Sequence, residues 1–88
     1  MDLDHRLRRL RFRAHHRGTK EADILVGGYF DRHSAGWGHP ECDWFERLCE
    51  VEDVDIMGWA FGTIEPPPEW RGEQLTALMT LDYVPVQR

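Results

Sequence analysis

The feature that most constrains this fold is a series of short apolar patterns with helical period, each ended by glycine or proline. Leu3, Leu7, Leu10 and Ala14 recur at spacings of three and four, which places them on one face of a helix. Gly18 follows that pattern, and glycine suits a helix end because it adopts left-handed backbone conformations at little steric cost. No alternating run is long enough for a convincing strand. The sequence therefore predicts an all-α protein.

The second and third helices are predicted from capping residues and apolar stripes. Thr19 can cap the second helix through its hydroxyl, and residues 33–39 read as a loop with two glycines. Pro40 suits the first position of the third helix. Gly27 and Gly28 weaken the second helix but would let another backbone approach it closely. The predicted inner faces of these two helices comprise Ala22, Leu25, Val26, Tyr29, Cys42, Phe45, Leu48 and Cys49.

The fourth and fifth helices are expected to be shorter. Asp53 is the predicted N-cap of the fourth helix and Gly62 its end, while the proline run at 66–68 forms a stiff linker. A chain of 88 residues makes one small domain. We therefore expect a single domain over 1–88, a compact bundle of five short helices, with 81–88 a loose C-terminal tail. The inward residues expected in the fifth helix are Trp70, Leu75, Leu78 and Met79.

Charge is distributed unevenly along the chain. Residues 1–20 contain seven basic and two acidic residues, a net +5, whereas the whole chain carries -5 and the remainder therefore -10. The acidic body argues against a general nucleic-acid binder. The basic, amphipathic first helix with its Phe12 still leaves a nucleic-acid or regulatory binding module as the alternative. More simply, its arginines form a solvated face that pairs with acidic neighbours such as Glu50, Glu52 and Asp53.

The sequence offers no catalytic, metal or cofactor site. Cys42 and Cys49 lie seven residues apart on one helix, roughly 10 Å by helical rise, which is too far for a disulfide. We expect reduced, buried thiols and a cytoplasmic protein. The histidine spacings match no standard zinc pattern, and no glycine-rich phosphate loop is present. No apolar run approaches the ~20 residues needed to cross a membrane. These observations favour a binding protein over an enzyme.

The most specific feature is the sequence Arg17-Gly18-x-x-Glu21. One interpretation is structural: Gly18 makes a helix–helix corner, and Arg17 and Glu21 form an exposed pair worth under about 1 kcal/mol. The other is functional: a glycine corner admits a partner's backbone, and arginine offers a planar fork to a carboxylate or phosphate. Either interpretation fits the residues alone.

The segment HHRGTKEADILVGGYF resembles the signature of the succinate dehydrogenase flavinylation factors, the SdhE-type assembly factors. Their Arg-Gly-x-x-Glu corner, followed by an aspartate, corresponds to Arg17, Gly18, Glu21 and Asp23. Their second block, an acidic turn leading to Asp-x-x-x-Trp, corresponds to VEDVDIMGWAF with Asp55 and Trp59. The resemblance covers roughly residues 5–62. The loop SAGWGHPEC and the proline run depart from the family pattern.

This resemblance implies a five-helix bundle and the role of an assembly chaperone. Such factors bind the flavoprotein subunit of succinate dehydrogenase, and in bacteria also that of fumarate reductase, and promote covalent attachment of FAD to a histidine of that subunit. FAD would be handled by this client, so we expect no stably bound cofactor, no nucleic-acid partner, no stable membrane association and a monomer when free.

The resemblance also implies which residues contact the client. Gly18 would let the corner lie flat on the client, and Arg17 would direct its guanidinium at client oxygens. Glu21 would either orient Arg17 or accept a hydrogen bond from the client. Asp23 belongs to the same corner, and Phe12 would add an apolar contact. Asp55 and Trp59 either contact the client or support the corner from behind. The complete set of expected partner-binding residues is Phe12, Arg17, Gly18, Glu21, Asp23, Asp55 and Trp59.

Overall fold

The computed structural model describes residues 2–84, which form five α-helices and two short 3-10 turns. No strand occurs in this part of the chain, so the predicted all-α class is confirmed. Gly38 precedes the third helix, and its backbone N–H donates to Glu41 Oε1 at 2.8 Å. The helices are α1 (Leu3–His15), α2 (Lys20–His33), α3 (His39–Cys49), α4 (Asp53–Phe61) and α5 (Glu73–Thr80), with 3-10 turns at Ser34–Gly36 and Pro68–Trp70.

α1 packs against both α2 and α3, α4 packs against α2 and α5, and large side chains of α2 and α3 meet in the core. Tyr29 and Phe45 are fully buried with their ring centroids 6.0 Å apart. The Tyr29 hydroxyl donates to the Gln74 carbonyl at 3.0 Å, which satisfies its buried polar atom. Leu10 and Ala14 of α1 are buried against this core. The apolar stripes predicted for the first three helices are therefore confirmed.

Four local predictions need correction. Glu52, not Asp53, occupies the N-cap of α4, because the Asp53 carboxylate is bonded elsewhere. Pro40 is the second residue of α3 rather than the first, since the helix begins at His39. Trp70 is buried as expected but lies in a 3-10 turn before α5, and Met79, expected inward, is 43% exposed.

Residues 81–84 pack against the bundle. The Tyr83 hydroxyl donates to the Leu78 carbonyl at 2.5 Å, and its ring meets Tyr29 edge-on with centroids 5.6 Å apart. A Cβ on Gly28 would lie 2.9 Å from the Tyr83 carbonyl oxygen, so the expected close backbone approach to the second helix is real. The prediction of a loose tail from Leu81 is wrong for residues 81–84. Residues 85–88 of that predicted tail lie outside the described residues.

Within residues 2–84, no helix is long and apolar enough to span a bilayer.

Candidate functional site

The Arg17–Glu21 segment forms a tight corner between α1 and α2. α1 ends at His15, and Gly18 adopts a φ of +120°, which side-chain-bearing residues rarely tolerate. The Thr19 hydroxyl then accepts from the Ala22 N–H at 3.2 Å and caps α2. The predicted threonine cap is confirmed, whereas α1 ends at His15 with His16 as its C-cap, before the expected stop at Gly18. The corner is therefore encoded by two adjacent residues.

Arg17 holds this corner from the inside. Its Nε donates to Asp53 Oδ1 at 2.8 Å, and its two terminal nitrogens donate to the carbonyls of Cys49 (2.6 Å) and Val51 (2.7 Å). Only 10% of the side chain is exposed. The two carbonyls belong to the end of α3 and the turn after it, where the helix dipole favours a cation. The guanidinium thus ties the α1–α2 corner to the α3–α4 corner.

The predicted Arg17–Glu21 ion pair is wrong. Arg17 turns inward to buried acceptors, because three charge-assisted hydrogen bonds outweigh one exposed pair. Glu21 lies exposed in the first turn of α2, and among residues 2–84 its carboxylate forms no ion pair. Asp23 is the carboxylate that closes the corner, since its Oδ1 accepts from the Arg17 backbone N–H at 2.5 Å.

The outer side of the corner is open and partly apolar. A Cβ on Gly18 would have no atom within 4 Å. Phe12 is 64% exposed and stacks on His16, with ring centroids 3.9 Å apart and planes 15° apart. Ile24 is also exposed. Two shallow concavities meet at His16. One is lined by Arg8, Arg11, Phe12, His15 and His16. The other is lined by His16, Gly18, Thr19, Lys20, Asp23 and Ile24.

The second sequence block lies beneath the corner or inside the protein. Trp59 is only 5% exposed and packs on Trp70 with ring centroids 5.2 Å apart, so it supports the fold rather than forming an exposed anchor. Asp55 is half-buried in the first turn of α4, two residues after the Asp53 that binds Arg17. The structure thus brings Phe12 and Gly18 to one open surface, with Asp23 in its lining and Arg17 behind it. Glu21 is exposed on the first turn of α2 but does not line this surface.

Sequence reasoning missed the partners of Arg17. Asp53 was interpreted as a helix cap and as a general acidic partner of the first helix, not as the partner of Arg17. The carbonyls of Cys49 and Val51 carry no sequence signal because every residue has one. His16 and Ile24 were also missed as members of the open surface. The adjacency of His16 to the corner and its spacing of four from Phe12 were the available signals.

Two arginines of α1 pair with acidic residues on or just after α3, and Arg11 pairs with Asp31 of α2. Arg6 is paired with Asp43, and Arg13 with Glu50. The hydrogen bond to Glu50 raises the pKa of the Arg13 guanidinium. The interpretation of the arginines as a paired, solvated face is confirmed at these two positions, including the Glu50 partner that was expected.

Residues 2–84 contain no cluster of three histidine, cysteine or acidic side chains arranged to hold a metal ion. Cys42 and Cys49 are free and buried, as predicted. Burial raises the pKa of both thiols, which keeps them protonated and unreactive at neutral pH.

The fold and this surface define a class: a small all-helical protein built around a rigid Arg-Gly-x-x-Glu corner. Residues 8–81 match a family model described as the flavinator of succinate dehydrogenase, and the chain belongs to that family. It is 40% identical over 68 residues to the FAD assembly factor SdhE of Acetobacter pasteurianus, covering 77% of this chain and 62% of that protein.

Fungal proteins are also similar. The chain is 26% identical over 83 residues to the mitochondrial succinate dehydrogenase assembly factor 2 of Debaryomyces hansenii, covering 91% of this chain and 58% of that protein. The factor of the same name from Cryptococcus neoformans is 28% identical over 67 residues, which cover 76% of this chain and 38% of that protein. The chain therefore spans about 60% or less of the length of these relatives. None of these similarities supports the nucleic-acid alternative.

Proposed function

We propose that this chain is an assembly chaperone that binds the flavoprotein subunit of succinate dehydrogenase and promotes covalent attachment of FAD to it. Family membership supports the class of function, and the corner supports the mode of binding. The single observation that carries the proposal is a corner held rigidly from within by Arg17 and left open outside at Gly18.

In this proposal the corner residues have two kinds of role. Gly18, Glu21 and Phe12 face the client: glycine allows close backbone approach, glutamate offers an acceptor, and phenylalanine offers an apolar contact. Arg17 and Asp23 act indirectly, because their polar groups are already bonded inside the protein. This replaces the expectation that Arg17 directs its fork at the client.

The second block contributes support from behind. Trp59 stabilises α4 through its ring contact with Trp70, and α4 supplies the Asp53 that positions Arg17. The half-buried Asp55 lies on the same first turn, and a direct contact from it to the client stays a prediction.

The chaperone would act by positioning and not by chemistry of its own. A bound factor holds the client in an arrangement where its histidine can reach the flavin, which raises the population of the competent state. On this proposal the chain is not an enzyme and binds no cofactor stably, since FAD stays with the client. We also expect the flavoprotein subunit of fumarate reductase as a client, a cytoplasmic location, and a monomer before docking.

The experiment is capture of the flavoprotein subunit by the wild-type protein and by Gly18→Arg, with covalent flavin read by in-gel fluorescence. We expect the wild type to capture the subunit and to raise its fluorescence. The variant should lose both, because the arginine projects from the open side of the corner into the client.

Backbone strain needs its own controls, since Gly18 has a positive φ. Gly72→Arg is the matched variant: Gly72 also has a positive φ, of 152°, and open space around its Cβ position. Gly18→Ala imposes the strain without the bulk. Equal loss of capture in Gly18→Arg and Gly72→Arg would contradict the proposal, as would full capture by Gly18→Arg.

A further inference from the structure

A second apolar surface lies on α4 and α5. Six large apolar side chains are exposed among residues 2–84, and two of them, Phe12 and Ile24, belong to the corner. The other four define what we call the α4–α5 surface: Val54, Phe61, Ile64 and Met79. A helix pair in so small a protein that exposes four such side chains calls for a partner.

Three of these residues form one ridge along α4: Val54 and Phe61 belong to the helix, and Ile64 lies in the segment after it. Val54, Gly58 and Phe61 are spaced four and three apart, so they share one face of the helix. The Ile64 side chain lies on Gly58, where a Cβ would come within 2.4 Å of its Cδ1. Ile64 therefore fills the space between Val54 and Phe61. Their exposed fractions of 69%, 37% and 50% show that the ridge faces solvent.

The ridge continues into a groove beside α5. Ile64 and Met79 both line this groove, which runs between the 62–72 linker and α5, and Leu75 and Pro66 form its apolar floor. Glu65 and Arg71 also line it. The apolar area thus extends from the first turn of α4 to the last turn of α5, with a concave part that can accept a side chain.

The chain segment that forms this surface is acidic. Residues 51–80 contain six acidic residues and one basic residue, a net -5. Asp53 pairs with Arg17. The other acidic residues of this segment form no ion pair within residues 2–84. They are Glu52, Asp55, Glu65, Glu69 and Glu73. A surface that combines exposed apolar groups with unpaired carboxylates selects a cationic, apolar partner.

We propose that the α4–α5 surface binds a basic amphipathic segment of a protein partner, in which large apolar side chains are flanked by lysine or arginine. The negative charge repels an anionic membrane or a nucleic acid. A second copy of this chain offers the basic outer face of α1, but within residues 2–84 that helix exposes only one large apolar side chain, Phe12, which is too little to cover this surface. The proposal involves residues other than the corner and does not depend on the proposed client.

The test uses a fluorescent peptide of ~14 residues, long enough to form a helix, made only of Leu, Phe and Lys at helical spacing. The expected result is binding that weakens with added salt and weakens at least about tenfold in Phe61→Ser/Met79→Ser. The matched variant Phe12→Ser/Ile24→Ser removes two exposed apolar side chains from the corner and should bind the peptide like the wild type. A peptide with Glu in place of Lys should not bind.

A second variant addresses the charge separately. Glu65→Lys/Glu73→Lys should also weaken peptide binding, whereas the same reversal at Asp4 and Glu46, on α1 and α3, should have less effect. Amide NMR shifts on peptide addition should centre on residues 54–64 and 75–79. No peptide binding, equal loss in both apolar variants, or self-association that buries these residues would overturn the proposal.

Flavoprotein capture separates this inference from the proposed function. Phe61→Ser/Met79→Ser should capture the flavoprotein subunit normally, because the corner is intact. Failure of capture by the wild type would refute the proposed function and leave peptide binding unaffected.

Discussion

Replacing Arg17 by lysine tests whether the corner is held from within. The guanidinium donates to Asp53 and to the carbonyls of Cys49 and Val51 over 2.6–2.8 Å. A single ammonium on a flexible stem cannot reproduce the planar fork that serves these three directions. Lysine would therefore leave about two of the three acceptors without a donor, at a site where the Arg17 side chain is only 10% exposed.

The expected loss follows from these contacts. A hydrogen bond to a charged group contributes about 1.5–3 kcal/mol to stability, and neighbouring bonds are not additive. The Asp53 side chain is 27% exposed, so water compensates part of the loss. We expect Arg17→Lys to lower the free energy of unfolding by about 2–3 kcal/mol. For a domain of this size that corresponds to a Tm lower by roughly 10–20 °C.

The assay is urea denaturation followed by circular dichroism, with Arg13→Lys as the matched control. Arg13 pairs with the exposed Glu50, and such a pair contributes at most about 1 kcal/mol. Equal stability of the two variants would refute the account of Arg17 as an internal tie. A stable Arg17→Lys protein that fails to capture the flavoprotein subunit would show instead that the fork contacts the client directly.

Three further predictions concern other parts of the fold. Gly28→Ala should lower stability by about 1–3 kcal/mol in the same urea assay, because the new methyl group would press on the Tyr83 carbonyl oxygen; Gly36→Ala, which meets open space, should have little effect. Cys42 and Cys49 should react slowly with a thiol reagent in the native state and quickly in urea, and rapid native reaction would contradict their burial. Burial raises the pKa of both thiols, so the unfolded chain loses these protons at a lower pH than the folded protein does. The free energy of unfolding should therefore fall as pH rises above about 8.5. Replacing both cysteines by alanine should reduce this decline.

Helix boundaries were predictable where local chemistry sets them. Gly62 ends α4 with a positive φ, Gly18 adopts a positive φ in the turn between α1 and α2, and Thr19 caps α2, as their residue types indicate. The apolar period of α1 and α3 likewise identified buried faces correctly, because helical spacing alone decides which side chains share a face.

Predictions failed where a residue had a choice of partners. Asp53 is a good N-cap by type, but in the fold it binds Arg17 and leaves that position to Glu52. Arg17 and Glu21 have the spacing of an ion pair, yet the acceptors for Arg17 come from a segment more than thirty residues away. Trp59 was left open between contact with the client and support from behind, and in the fold it is buried against Trp70.

The sequence by itself determined the all-α class, the helix stops and the unusual corner, because these depend on backbone preferences and on periods of three and four residues. Only the tertiary structure decided which way Arg17 points, that Tyr83 packs over Gly28, and that Ile64 joins Val54 and Phe61 into one exposed ridge. The physical reason is that such contacts join residues distant in the chain. Their energies depend on which groups the packed helices bring within reach, and local sequence carries no record of that.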